Sequence, residues 1–270
     1  MNQNKSIFEQ WSGLSAQDRK GIEIAGFAIS FLFTLAALAV YLSGDRPDPE
    51  TLCLKNLQAH TVILIDQSDA LNKTQQRYVE NMVQDFKKRL TRFEKFSIYI
   101  LSEKDYVAPT PVFSKCYPGS GDEANPVYQN PAKVQKKFQE FFQTPLQREL
   151  DRLLEPKTSE TSPIMEMLRE ISYKDDFSSS VPLRRLLVVS DLVQNVPMYS
   201  QYKDPIDFEY FQKLNYSGEV KAELSGVQVT LAYIMRGDPE TGLQQNSHTN
   251  FWMQYFATLG AQVALVQKIR

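Results

Sequence analysis

Histidine and cysteine are scarce in this chain of 270 residues: His60 and His248 are the only histidines, Cys53 and Cys116 the only cysteines. That is too few for a zinc cage built from these residues alone, and neither HExxH nor CxxC occurs. Any metal here would be held by oxygen. GxSxG, GxxxxGKS/T and GxGxxG are missing too, which removes the nucleophile-elbow, P-loop and dinucleotide signatures. Neither sign of charge is in excess, with Lys+Arg 30 against Asp+Glu 32 and a net charge of −2. No whole-chain field therefore points towards nucleic acid. There is no internal repeat and no low-complexity tract. At roughly 100–200 residues per domain, the length allows one large domain or two small ones, enough to bury a core.

What the chain does have is a long apolar run. Ile24 to Ser43 (IAGFAISFLFTLAALAVYLS) is 20 residues without a charge, which at 1.5 Å per residue matches a hydrocarbon core of roughly 30 Å. A core helix would be apolar along one stripe; this run is apolar on all faces. It predicts a transmembrane helix over 24–43. A cleaved signal peptide is the alternative, with Ala37-Leu38-Ala39 as the small-x-small site, but the segment ahead of the apolar run is long for a leader. Arg19 and Lys20 precede the span, with Lys5 further out, and Arg46 follows it among Asp45, Asp48 and Glu50. That bias predicts a cytoplasmic N-terminus.

The expected division is a cytoplasmic segment over 1–23, the span over 24–43, a stalk over 44–59 and a soluble domain over 60–270. In a Gram-negative cell that domain would lie in the periplasm, anchored in the inner membrane. Residues 6–20 carry Ile7, Phe8, Trp11 and Leu14 at helical spacing, with Ser15 as a candidate N-cap, which suits a short helix on the inner interface. Both cysteines follow the span, and in an oxidising compartment an even pair tends to bridge. A Cys53–Cys116 disulfide would tie the linker to the loop after the second strand; two unpaired buried thiols are the alternative.

Thr61 to Ile65 is a continuous apolar run of strand length, as expected of a central strand covered on both faces. Asn72 to Phe93 follows with Val79, Met82, Val83, Phe86 and Leu90 at steps of three and four, a helix with one apolar stripe. Phe96 to Leu101 is a second strand, so the three elements make a βαβ unit and the sheet is at least partly parallel. Residues 103–131 hold five prolines and read as a loop, with Val112-Phe113 as a short edge strand. Pro131 opens a helix to about Leu154, bent near Pro145, before a polar turn over 155–161. Ser162-Pro163 opens the next helix, Leu186 to Val189 is a strand ending in Ser190-Asp191, and 192–205 is a polar loop. A helix near 206–215, a strand over Val227–Ile234, a helix around Asn250–Leu259 and a strand over Val263–Val266 complete the pattern.

In an open α/β sheet the ligand site is the crevice beyond the carboxyl ends of the strands. Three segments bring oxygen donors there: Asp66-Gln67-Ser68-Asp69-Ala70 after the first strand, Thr161-Ser162-Pro163 before a helix, and Asp191 after a later strand. A carboxylate and a hydroxyl, a second hydroxyl and a second carboxylate make a small pocket suited to Mg2+, a hard octahedral ion. Each residue also has a plain structural use: Asp66 capping a turn, Ser68 and Ser162 as helix N-caps, Asp191 satisfying loop amides.

The constellation resembles the von Willebrand factor A family, whose metal-ion-dependent adhesion site uses an Asp-x-Ser-x-Ser loop, a later Thr and a later Asp. Asp66 and Ser68 match the loop's first two positions, Ala70 departs from its last Ser, Ser162 falls at the Thr and Asp191 at the Asp. The order of elements agrees from about residue 60 to 267. The resemblance implies a Rossmann-like, doubly wound, mostly parallel α/β sheet, preceded here by one transmembrane helix. It also implies a metal, Mg2+, held by Asp66, Ser68, Ser162 and Asp191, that takes a carboxylate from a partner protein.

On that footing the expected function is a non-enzymatic interaction module recruiting other protein subunits of a membrane-associated complex, with no nucleic acid and no small-molecule substrate. Tyr106, Tyr117, Tyr199 and Tyr202 are its candidate aromatic anchors. Two other readings remain. ILIDQS has the strand-then-Asp form of an aspartyl-nucleophile phosphohydrolase, although Ser68 stands where that pattern has its second Asp. A metal-free scaffold is the third, argued from Ala70. His248, after a turn, reads as a surface or capping residue.

Overall fold

The computed structural model describes residues 15–42, 46–101, 106–127, 129–153, 159–237 and 240–270. The chain divides into two compact units, one ending at Arg46 and the next beginning at Pro47. The first is helix α1 (Ala16–Leu42). It starts earlier than the apolar run because Ser15 caps it: the Ser15 Oγ accepts the Asp18 N–H and donates to the Asp18 carboxylate at 2.6 Å. The interfacial helix expected over 6–20 lies outside the described residues up to 14, and from Ala16 it is the first turn of α1. Gln17–Leu38 is long and apolar enough to cross a membrane, with a mean hydropathy of 1.9.

The second unit holds a six-stranded sheet of β1 (Ala59–Asp66), β2 (Lys95–Leu101), β3 (Phe113–Cys116), β4 (Leu183–Ser190), β7 (Gln228–Ile234) and β8 (Gln262–Ile269), in the order β3-β2-β1-β4-β7-β8. A two-stranded hairpin, β5 (Asn195–Val196) and β6 (Tyr199–Ser200), lies outside it. Every pairing in the large sheet is parallel except that of the edge strand β3 with β2. The sheet is thus doubly wound and mostly parallel, as the resemblance implied. Its order reverses between β1 and β4, which makes the carboxyl ends of those two strands the switch point.

Central strands of such a sheet are covered on both faces, so their runs are apolar without alternation. In β1 all eight residues are buried. Val62 and Leu64 face one core with Leu186, Val188, Val229 and Leu231; Ile63 and Ile65 face the other with Leu187, Val189, Ala232 and Ile234. The first core is covered by α5 (Ile164–Ser172) and α8 (Asn246–Thr258), through Ile164, Leu168, Trp252 and Phe256. Helix α2 (Lys73–Lys88) covers the second through Val79 and Val83, together with Phe142 and Leu146.

Those last two belong to the segment opened by Pro131. It runs as α3 (Pro131–Phe138), a π-helical turn over Gln139–Gln143 and α4 (Thr144–Leu153). Pro145 has no N–H to give, and its ring crowds the carbonyl four residues back, so the preceding turn widens and Thr144 N–H bonds Gln139 O instead. The polar turn expected after it lies outside the described residues over 155–158.

Two expectations are corrected here. The stalk over 44–59 is, from Pro47 on, part of the folded unit: Leu52 is buried, Cys116 N–H bonds Thr51 O at 2.7 Å, and Cys53 and Cys116 form a disulfide. The loop over 192–205 is not a solvated one. It holds the β5–β6 hairpin, with Gln194, Tyr199 and Gln201 buried, and α6 (Phe208–Gln212) and α7 (Asn215–Glu219) follow in place of one helix. Tyr199 stacks on Phe251 and meets Phe211 at a tilt, so it is core.

Candidate functional site at the strand ends

At the switch point β1 delivers Asp66 beside the end of β4, where Ile65 pairs with Val189. Asp66 is buried and accepts three hydrogen bonds. Its Oδ2 takes the Ser190 hydroxyl at 2.7 Å and the Ser162 hydroxyl at 3.1 Å, while its Oδ1 takes the Ser68 backbone N–H at 2.8 Å. Ser162 is held in place by a two-way backbone bridge to Asn195 of the hairpin. Ser68 and Ser162 are not N-caps: Asn72 caps α2, its side chain accepting from Thr74 and Gln75, and Pro163 precedes α5 without a side-chain cap.

The second carboxylate follows β4 in a tightly pinned loop. Asp191 accepts the Val193 N–H at Oδ1, and the Leu192 N–H bonds the Ser190 hydroxyl at 2.8 Å. Leu192 sits at φ 60, a left-handed conformation that costs a non-glycine residue on the order of 1–3 kcal/mol and persists only where the surroundings impose it. Here His248 and Trp252 both donate to the Leu192 carbonyl. His248 is therefore a buried core residue and not a surface or capping one. Its Nδ1 meets the Tyr233 hydroxyl and its Nε2 the Leu192 carbonyl, so the proton sits on Nε2.

Burial, and next the charge of Asp66, push the Asp191 carboxyl up to about 7. Arg236 opposes them: its Nε donates to Asp191 Oδ2 at 3.0 Å, and the guanidinium also reaches the carbonyls of Ala70 at 2.8 Å and Asp69 at 3.3 Å. The structure thus brings Asp66, Ser162 and Asp191 into one cluster and joins Ser68 to it through its backbone. Sequence reasoning missed Ser190, Arg236 and Gln244. A serine preceding Asp191 at a strand end was a signal for the first; nothing in the local pattern distinguishes Arg236 from a solvated charge.

Do these residues fit a magnesium ion? The hydroxyls of Ser162 and Ser190 suit a hard cation, yet two features do not. Ala70 puts a methyl where the adhesion-site loop has its second hydroxyl. The Asp191 oxygen and the loop carbonyls on that side already accept from a guanidinium. The donor set as it stands suits the arginine and not the ion.

Of the four tyrosines considered as anchors, Tyr117 and Tyr199 are buried and Tyr106 packs on the core. Tyr202 is 42% exposed and Met198, at the turn of the hairpin, 61%. The Tyr202 hydroxyl is pushed up to about 12, by burial first and then by Asp191, Glu240 and Asp69, so it stands beside the cluster.

No family model and no curated protein matches the chain. Among solved structures, an aerotolerance-related membrane protein from Bacteroides fragilis, carrying multiple mutations to serines, is similar over 78% of this chain and 92% of its own. Its identity is 9% and its TM-score 0.33. A superposition that loose carries no argument, and the fold stands on the sheet order and register alone.

Proposed function

We propose that this chain is a membrane-anchored, von Willebrand A-like interaction module whose strand-end rim docks another protein subunit of an envelope complex. The carrying observation is the switch-point cluster of Asp66, Ser162, Ser190, Asp191 and Arg236, with Tyr202 exposed near Asp191 and Met198 exposed at the turn of the hairpin whose Asn195 bridges Ser162. Ligands of open α/β sheets bind at this place, and an exposed aromatic beside a rigid polar centre is what protein interfaces use as an anchor. The anchor in the membrane is α1, whose Phe27, Phe31 and Phe33 are exposed. Arg19 and Lys20, near the start of α1 and ahead of its charge-free run, argue for a cytoplasmic N-terminus, and the Cys53–Cys116 disulfide argues independently for an oxidising compartment around the folded unit.

Binding is favoured over catalysis by the state of the polar side chains. Both histidines are enclosed in hydrogen bonds within the core, Asp66 accepts from three donors, and Asp191 is held by a guanidinium. Of these groups only Asp191 has a proton within reach near neutral pH, and the guanidinium of Arg236 holds its Oδ2. The test is crosslinked affinity capture of the full-length protein from its native membrane, comparing wild type with Met198→Asp and Tyr202→Ala. We expect a specific partner to be lost or reduced at least tenfold in the variants. An unchanged set of partners would sink the rim as the docking surface.

A further inference from the structure

Arg236 lies two residues beyond the end of β7, where the third of three loops meets the switch point. We propose that Arg236 is the resident cation of this site, filling with a guanidinium the position that a divalent metal would hold and making the rim independent of metal. One side chain ties three loops: Nε to the Asp191 carboxylate after β4, Nη1 to the Ala70 carbonyl and Nη2 to the Asp69 carbonyl after β1, the arginine itself coming from β7. Only 11% of that side chain is exposed. A planar fork with five donors suits an oxygen-lined pocket of this kind, whereas a lysine would offer a single point charge.

The position is also built from behind. The Arg236 N–H donates to Gln244 Oε1 at 2.7 Å, and the Gln244 amide donates to the carbonyls of Ile234 and Asp191. On the other side Gln75 donates to the Met235 carbonyl at 2.9 Å while its Oε1 accepts the Asn72 N–H at the start of α2. Both glutamines are buried. The strand end is therefore clamped between two buried amides, and the guanidinium is aimed before anything binds. A metal ion at the same carboxylates would lose Asp191 Oδ2 to the arginine and sit against its positive charge. Ala70 fits the same picture: its methyl supplies no ligand, and its carbonyl faces the arginine.

The inference concerns how the rim is held together, so it goes beyond the docking proposal and stands or falls separately from it. The test is thermal unfolding of the full chain in detergent with EDTA, Mg2+ or Mn2+, beside Mn2+ binding followed by electron paramagnetic resonance. The wild type is expected to melt at the same temperature in all three and to leave the free Mn2+ signal undiminished. Arg236→Met is expected to melt lower by on the order of 5 °C or more and to recover part of that loss with Mn2+, a recovery that adding Asp191→Asn abolishes. Wild-type Mn2+ binding that Asp191→Asn removes would overturn the proposal, as would an Arg236→Met protein as stable as wild type. Should Arg236→Met fail to fold, Arg236→Lys keeps the charge without the fork. Lower melting of that variant supports the bridging role, and wild-type melting overturns it; the wild-type metal arm decides in either case.

Discussion

Three donors from three segments converge on Asp66, so this one carboxylate fixes the relation between the β1 loop, the start of α5 and the end of β4. Removing it strands two buried hydroxyls and a backbone N–H, each costing about 1–3 kcal/mol when left unpaired. Asp66→Ala should lower unfolding stability by on the order of 3 kcal/mol, measured by urea denaturation; a loss under about 1 kcal/mol would mean the hydroxyls find other acceptors. His60 gives a prediction in pH. Its Nδ1 donates to the Asp176 carbonyl and its Nε2 accepts from Ser97, and burial holds its pKa down at about 4 from 6.5 despite the nearby Asp176. The folded state thus resists protonation that the unfolded chain accepts. Its contribution is full above pH 6.5 and is lost as pH falls towards about 4, on the order of 3 kcal/mol in all. His60→Gln should flatten the melting temperature over that window, and an unaltered acid slope would remove His60 as its cause. At this scale the sequence was half legible: Asp66, Ser162 and Asp191 stood out because each ends a strand or precedes a helix. Arg236 did not, since its role depends on two loops far from it in the chain.

Elements were more legible than residues, and for a physical reason. β1, β4 and β7 are buried on both faces, so their runs are mostly apolar without regular alternation, broken in β7 only by Thr230. The Asn72–Gln75 capping box marks the start of α2 as the sequence suggested within a residue. What escaped was structure too short to have a period: the hairpin over 195–200 consists of two two-residue strands, and the two five-residue helices after it blur into one pattern. The segment after the anchor was half legible: the Cys53–Cys116 bridge was expected from the sequence and is formed, whereas the packing of the residues from Pro47 on into the folded unit was not read. Cys53 and Cys116 close a loop with a sequence separation of 63, for which chain entropy gives roughly 4 kcal/mol. The bond also lands at the end of the antiparallel edge strand β3, where Cys116 pairs with Lys95. Joint replacement of Cys53 and Cys116 by Ser should therefore cost about 2–4 kcal/mol and raise hydrogen exchange first in 47–58 and β3. Uniform loosening of the whole sheet would argue that the bridge acts on the unfolded chain alone.

At the scale of the whole molecule, the side of the membrane on which the folded unit lies decides whether the disulfide can persist, so anchor and bridge make one prediction together. With the N-terminus in the cytoplasm, α1 carries the chain out and Cys53 and Cys116 meet an oxidising compartment; reversed, the same two thiols would face a reducing one. Because they are the only cysteines in the chain, thiol labelling reads the topology without ambiguity. Full-length protein, denatured under acid quench from growing cells, should take up no maleimide until it is reduced, and then two per chain. Moving Arg19 and Lys20 to the far side of the span, by Arg19→Ser and Lys20→Ser with Ser43→Lys and Gly44→Arg, should invert the bias of flanking charge and leave the thiols labelled without reduction. Labelling of the wild type without reduction would refute the outward placement, and with it any partner confined to that side.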